Sequence, residues 1–293
     1  MTRPGQISPW WLLAPMVAVV VAVAGYPMLQ TVVLAFTDAR LLGGIAASHW
    51  VGFDNFAYAL SDPDFQAAVG HTLQFTLFSV GFETGFGLLV ALLLNEPFAG
   101  RALCRSLLVI PWALPTIVNA IMWRLIYQPD FGVLNAALTQ SGLLAGYRSW
   151  LGDPGVAMYA VVVADVWKNY PLVALIVLAA LQNAPTDLYE AATLDGAGPL
   201  RRFQVVTWPA VAPALLVAIV LRSIEALKVF DIVYAMTRGG PASATKTMSF
   251  FVYEESFRFL RVGSGASYAL ILVLLCTVLV TFYVRLLQRR QPA

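Results

Sequence analysis

The chain has 293 residues, 59% of them hydrophobic and 12% charged, with a formal net charge of +2. An ordinary soluble domain carries roughly a quarter charged residues, so water is not the main solvent here. The balance of charge is too mild for nucleic acid, and no lysine/arginine run exceeds a pair, which leaves nucleic-acid binding unsupported.

With a mean hydropathy of +0.75, the apolar residues gather in blocks of about 20 or more, the length that carries a helix across a hydrocarbon core roughly 30 Å thick. The blocks predict an all-α, polytopic membrane protein with about six spans, read as one membrane domain over 1–293. In chain order they run from Trp10 to Phe36, Ala68 to Asn95, Leu103 to Tyr127, Val156 to Gln182, Val211 to Ala235 and Ser267 to Leu287. None alternates polar with apolar as a membrane-barrel strand must. The first block also has a leader-like reading, with Arg3 ahead of it and Ala22-Val23-Ala24 as a cleavage site; its continuation to Phe36 favours a span. Basic residues divide almost evenly between the two faces this topology creates, so charge leaves orientation open.

The two cysteines, Cys104 and Cys276, and the two histidines, His49 and His71, stand at no metal-ligand spacing, and no metal site is expected. Cys276 lies deep in an apolar block, which argues against a disulfide.

Between the fourth and fifth blocks, residues 183–210 spell two short helices and a corner. Pro185 suits a first helical turn, and Asp187 with Glu190 puts negative charge near the positive end of the helix dipole. Gly196 can take the left-handed conformation that ends the helix, Pro199 can start the next, and Pro209 closes it. A plain connector would explain these turn residues but not the whole pattern. Glu190-Ala191-Ala192, then Asp195-Gly196-Ala197, then Phe203, Pro209 and Pro213 resemble the EAA loop of ABC-importer permeases. Val206 and Trp208 depart from it, standing where isoleucine and leucine are usual, both apolar exchanges.

The resemblance implies the type I importer permease fold and a cytoplasmic coupling helix docked on a separate ATPase, which would also set the orientation. It implies Glu190 as the ionic contact, Ala191, Ala192 and Ala197 as the close-packing surface, and Asp195 with Gly196 as the corner. Arg201 and Arg202 read equally as a lipid-facing basic pair or as partner contacts. Val51-Gly52-Phe53-Asp54-Asn55-Phe56 and the stretch from Arg222 through Thr237-Arg238-Gly239-Gly240-Pro241 are similar to the MalF-type subunit of carbohydrate-uptake systems. That resemblance implies a second, homologous permease of MalG type, two cytoplasmic ATPase subunits, an extracytoplasmic solute-binding protein, and a multi-pass location in lipid of the bacterial cytoplasmic membrane. No cofactor is expected on this chain; ATP and Mg would be used by the partner ATPase, since no G-x-x-x-x-G-K-[ST] phosphate loop occurs.

Glu83, Asp165, Lys168, Arg222, Glu225, Lys228 and Asp231 fall inside the predicted spans. A lone charge near the bilayer centre costs at least about 2.5 kcal/mol, so these must pair or face a wet cavity. Arg222, Glu225, Lys228 and Asp231 follow one another at three-residue steps, as do Asp165 and Lys168, so consecutive members can touch along one helix. Two readings stand: they line a solute path, or they neutralise one another as bundle glue. Trp167, Asn169 and Tyr170 lie just before Pro171, which should kink its helix. An aromatic face with amides can receive a sugar. Trp167, Asn169, Tyr170 and Glu225 are therefore the expected solute contacts, with Asn119 and Trp123 as further candidates. The competing class is an ion-coupled secondary transporter using the same carboxylates, but no repeat between the two halves supports it. A membrane-embedded enzyme lacks any nucleophile/base constellation.

Overall fold

The computed structural model describes residues 9–42, 44 and 48–288, with side chains from Leu13 to Arg285; Arg3 of the leader reading lies outside them. The chain divides into two compact units, residues 1–63 with 251–271 and residues 64–250 with 272–293.

α1 (Pro9–Val20) and α2 (Tyr26–Leu34) are joined by a π-helical turn, Val21–Gly25. Pro27 donates no N–H, and its ring would crowd the carbonyl of Val23; the wider π turn contains that carbonyl and accommodates it. None of the most apolar window of Leu13–Leu34 is buried, so lipid or another chain is the environment left for it. Past α2 the chain knots around aromatic rings. Phe36 stacks on Trp50 at 5.3 Å and meets Phe53 edge-on at 5.3 Å. From the first turn of α3 (Asp54–Ser61), Asn55 donates to the carbonyls of Ala35 at 2.9 Å and Thr37 at 2.8 Å. Those bonds hold two backbone acceptors just beyond the end of α2, where the helix no longer supplies donors.

In the second unit, α4 (Pro63–Asn95) has 33 residues, about 50 Å of helix at 1.5 Å per residue and more than a bilayer core requires. Its last carbonyls are capped by arginines of α5 (Arg101–Ala113): Arg105 donates to Leu94 O at 2.8 Å and Arg101 to Asn95 O at 3.2 Å. α5 and α6 (Thr116–Ile126) bend by 96° at Leu114–Pro115, because proline pushes the preceding residue out of the helical region; Leu114 has ψ 136°. The stretch read as one span from Leu103 to Tyr127 is thus two helices. α7 (Val133–Gln140) stands in the loop that follows, where Asn135 accepts from Trp150 Nε1 at 2.8 Å and donates to Arg148 O at 2.9 Å. Arg148 also bonds Asp153 at 2.6 Å, and with the Gly155 N–H it holds that carboxyl below the usual carboxylate range.

α8 (Ala157–Gln182) is the centre of this unit, with 61% of its most apolar window buried. It runs unbroken through Pro171 rather than ending there. A Cβ on Gly87 of α4 would lie 2.6 Å from Val173 Cβ, so the two helices touch there because glycine has no side chain. Gly87→Val is expected to overpack this contact and lower stability by about 1–3 kcal/mol. A thermal-inactivation series in detergent, with Gly87→Ala as the milder step, checks it.

α9 (Thr186–Leu194) and α10 (Pro199–Arg202) lead through a second π turn, Phe203–Thr207, into α11 (Trp208–Leu227). Pro209 stands two residues beyond that turn, as Pro27 does beyond the first. α11 stops at Leu227 and α12 (Asp231–Met236) starts after a break, so the span read from Val211 to Ala235 is not one helix. α13 (Met248–Tyr253) and α14 (Val262–Gln288) complete the chain. Among the described residues five helices are long and apolar enough to cross a membrane, or six if the bent α5–α6 pair counts as one crossing.

Candidate functional site

The elbow between α8 and α11 has its corner where Gly196 and Pro199 place it, but Pro209 closes no helix: α10, the π turn and α11 run on as one helix from Pro199 to Leu227, since a proline just past the wider π turn costs no hydrogen bond there. Gly196 has φ +77°, its N–H bonds Thr193 O at 3.0 Å, and the Ala197 N–H reaches back to Ala192 O at 2.9 Å. This pair of bonds is a Schellman motif, closing α9 with the corner in a left-handed residue. Nothing lies within 4 Å of where a Gly196 Cβ would sit, so backbone conformation alone demands glycine. Tyr189 and Thr207 share a hydroxyl bond of 3.1 Å, which ties α9 to the π turn.

The elbow's outer face is apolar. Leu194 is 89% and Leu200 72% exposed. Glu190, Ala191 and Asp195 are also exposed, and Ala192 and Ala197 half-buried. The Glu190 side chain has no hydrogen bond or ion pair among the described residues.

Inside the bundle the charges sort differently from their order in sequence. Arg222 of α11 reaches across to α4, bonding Glu83 with two nitrogens at 2.7 and 3.0 Å, and touches Asp165 of α8 at 3.4 Å. Glu83 is 0% and Asp165 6% exposed. Three helices are pinned by one guanidinium, whose planar fork suits a bidentate carboxylate. The expected ladder along a single helix is therefore corrected. Only Glu225, near the end of α11, and Lys228, just past it, pair among these, at 3.0 Å, and the helix ends before Asp231. Asp165 does not pair with Lys168 either; its other side-chain bond is from Asn169, at 2.9 Å.

Asp165, Lys168, Asn169, Glu225, Lys228 and Asp231 line one cavity of about 200 Å³, together with Arg222. Thr116, at the start of α6, also lines it; the sequence reading missed this residue, whose only signal was the adjacent Pro115.

The aromatic candidates are elsewhere. Trp167, Tyr170 and Trp123 line a separate, almost wholly apolar groove of about 590 Å³ with Phe82 and Phe86. Trp167 and Asn169 lie about 160° apart around a 3.6-residue helix, so they cannot share a site. Trp123 meets Trp167 edge-on at 6.1 Å. Asn119 is fully buried and donates to Ala164 O at 3.2 Å, joining α6 to α8 rather than facing the cavity. Of the expected solute contacts, Asn169 and Glu225 share the charged cavity, while Trp167 and Tyr170 share the apolar groove.

An exposed apolar elbow between two apolar helices, and a charged cavity inside the bundle, fit a helical membrane transport subunit. A family model for the inner membrane component of binding-protein-dependent transport systems matches residues 83–291, and the chain belongs to that family. It is 41% identical over 244 residues to the trehalose/maltose transport system permease protein MalF of Thermococcus litoralis, covering 78% of this chain and 82% of that one. It is 34% identical over 279 residues to the sulfoquinovosyl glycerol transport system permease protein SmoG of Agrobacterium fabrum, covering 95% and 90%. A chain in the crystal structure of a bacterial ABC transporter involved in the import of the acidic polysaccharide alginate superposes with a TM-score of 0.84 at 22% identity, over 97% of both chains. The fold is that of an ABC type I importer permease.

Proposed function

We propose that this chain is the permease subunit of an ATP-binding-cassette importer that moves a carbohydrate across the bacterial cytoplasmic membrane by alternating access. Its partners are a second, homologous permease of MalG type, two cytoplasmic ATPase subunits that use ATP and Mg, and an extracytoplasmic solute-binding protein. The observation that carries this reading is the elbow: a Schellman-closed corner presenting Leu194, Leu200 and an unpaired Glu190. A rigid corner at the joint of two spans passes a rigid-body motion of the ATPase into the bundle, which a slack loop does not. Nucleotide binding by the partner then shifts the bundle between its inward-open and outward-open states. The names of the relatives support a carbohydrate as the solute.

A single-cysteine label tests the elbow's location. In a Cys104→Ser, Cys276→Ser background, Leu194→Cys is expected to react with a membrane-impermeant maleimide in inside-out vesicles only, and to cross-link to the ATPase subunit. Labelling from the outer face, or no cross-link in an assembled complex, overturns the proposal.

A further inference from the structure

We infer that the cavity between α8, α11 and α12 selects an uncharged polyhydroxyl solute and rejects an anionic one, with Lys168 and Asp231 as its specificity-determining contacts. This rests on the carbohydrate-permease reading above. The charges that face the cavity are three carboxylates, Asp165, Glu225 and Asp231, and three cations, Lys168, Arg222 and Lys228. They are not equally available. Arg222 is held by Glu83 and Asp165, and Glu225 is held by Lys228. The side chains of Lys168 and Asp231 have no ion pair or hydrogen bond among the described residues, although both border the same space. They come from different elements, Lys168 from the middle of α8 and Asp231 from the first turn of α12.

An ammonium offers three donors and a carboxylate several acceptor sites, and a sugar hydroxyl both donates and accepts. A neutral polyol bridging the two satisfies both charges with charge-assisted hydrogen bonds and adds no charge to the bundle. An anion gains Lys168 but must approach Asp231, Asp165 and Glu225. Arg222 and Lys228 are already held by carboxylates, so the cavity offers an anion no second free cation. Asn169, which bonds Asp165, and Thr116 add neutral polar groups suited to hydroxyls.

The full transporter in proteoliposomes, with its own binding protein, provides the test. Trehalose serves as the neutral probe and sulfoquinovosyl glycerol as the anionic one. Uptake of trehalose and not of the anionic probe is expected. Lys168→Met and Asp231→Asn should each raise the transport KM at least about tenfold, as loss of a charge-assisted bond to a hydroxyl does, while ATP hydrolysis stimulated by the binding protein persists. Uptake of the anionic probe, uptake of neither, or an unchanged KM in both variants overturns the inference. Persisting stimulation of the ATPase separates that failure from failure of the permease reading, which would abolish stimulation in the unaltered complex as well. Should either variant lose assembly, Lys168→Gln and Asp231→Ser, with shorter uncharged side chains, carry the same KM measurement.

Discussion

Arg222→Met is expected to destabilise the bundle by about 3–5 kcal/mol, the cost of breaking a buried ion pair by removing one partner. Glu83 and Asp165 would remain in the interior, facing one another without the guanidinium that both now contact. The measurement is the fraction of monodisperse permease recovered from detergent over a thermal ramp. Arg222→Lys should recover part of the loss, since an ammonium keeps the charge but cannot grip Glu83 with two parallel bonds. The triple variant Glu83→Gln, Asp165→Asn, Arg222→Met should recover most of it, because removing every charge leaves no uncompensated ion. If Arg222→Met is as stable as the native chain, the guanidinium does not hold the three helices together.

Gly196→Val should leave the membrane bundle folded and remove most transport. A left-handed conformation costs a residue with a Cβ roughly 1–2 kcal/mol, and β-branching stiffens it further. Gly196 has open space around it, so the strain is confined to the backbone, and the corner relieves it by giving up the two bonds that close α9. ATP-driven uptake should fall by about tenfold or more, as each 1.4 kcal/mol of lost coupling corresponds to a factor of ten. Co-purified ATPase should fall in parallel. Gly196→Asn should retain most activity, since asparagine tolerates the left-handed region. Full uptake by Gly196→Val would remove the rigid corner from the mechanism.

The elbow was legible because its information is local. A glycine that must adopt positive φ, a proline at a first helical turn and a carboxylate near a helix start act within a few residues of chain. The motif around Glu190 and Gly196 could therefore be read before any tertiary contact was known. How the aromatic candidates group was not legible, for the opposite reason. Trp167, Asn169 and Tyr170 are neighbours in sequence, but α8 runs unbroken past Pro171 and turns them toward two different spaces. The breaks at Leu114–Pro115 and Lys228–Phe230 had unequal signals: a proline marked the first, while no helix breaker stands at the second.

By itself, the sequence determined that this is an all-helical membrane protein of a known transport family, with a left-handed glycine corner at Gly196. Hydrophobic length and turn chemistry are properties of contiguous residues, and both survive without a neighbour. The tertiary structure decided which charges meet. Glu83 and Arg222 lie 139 positions apart, and only helix packing made them partners rather than leaving Arg222 to its sequence neighbour Glu225. In an interior of low dielectric a charge takes the partner that packing brings into contact, so pairing is set by where helices cross.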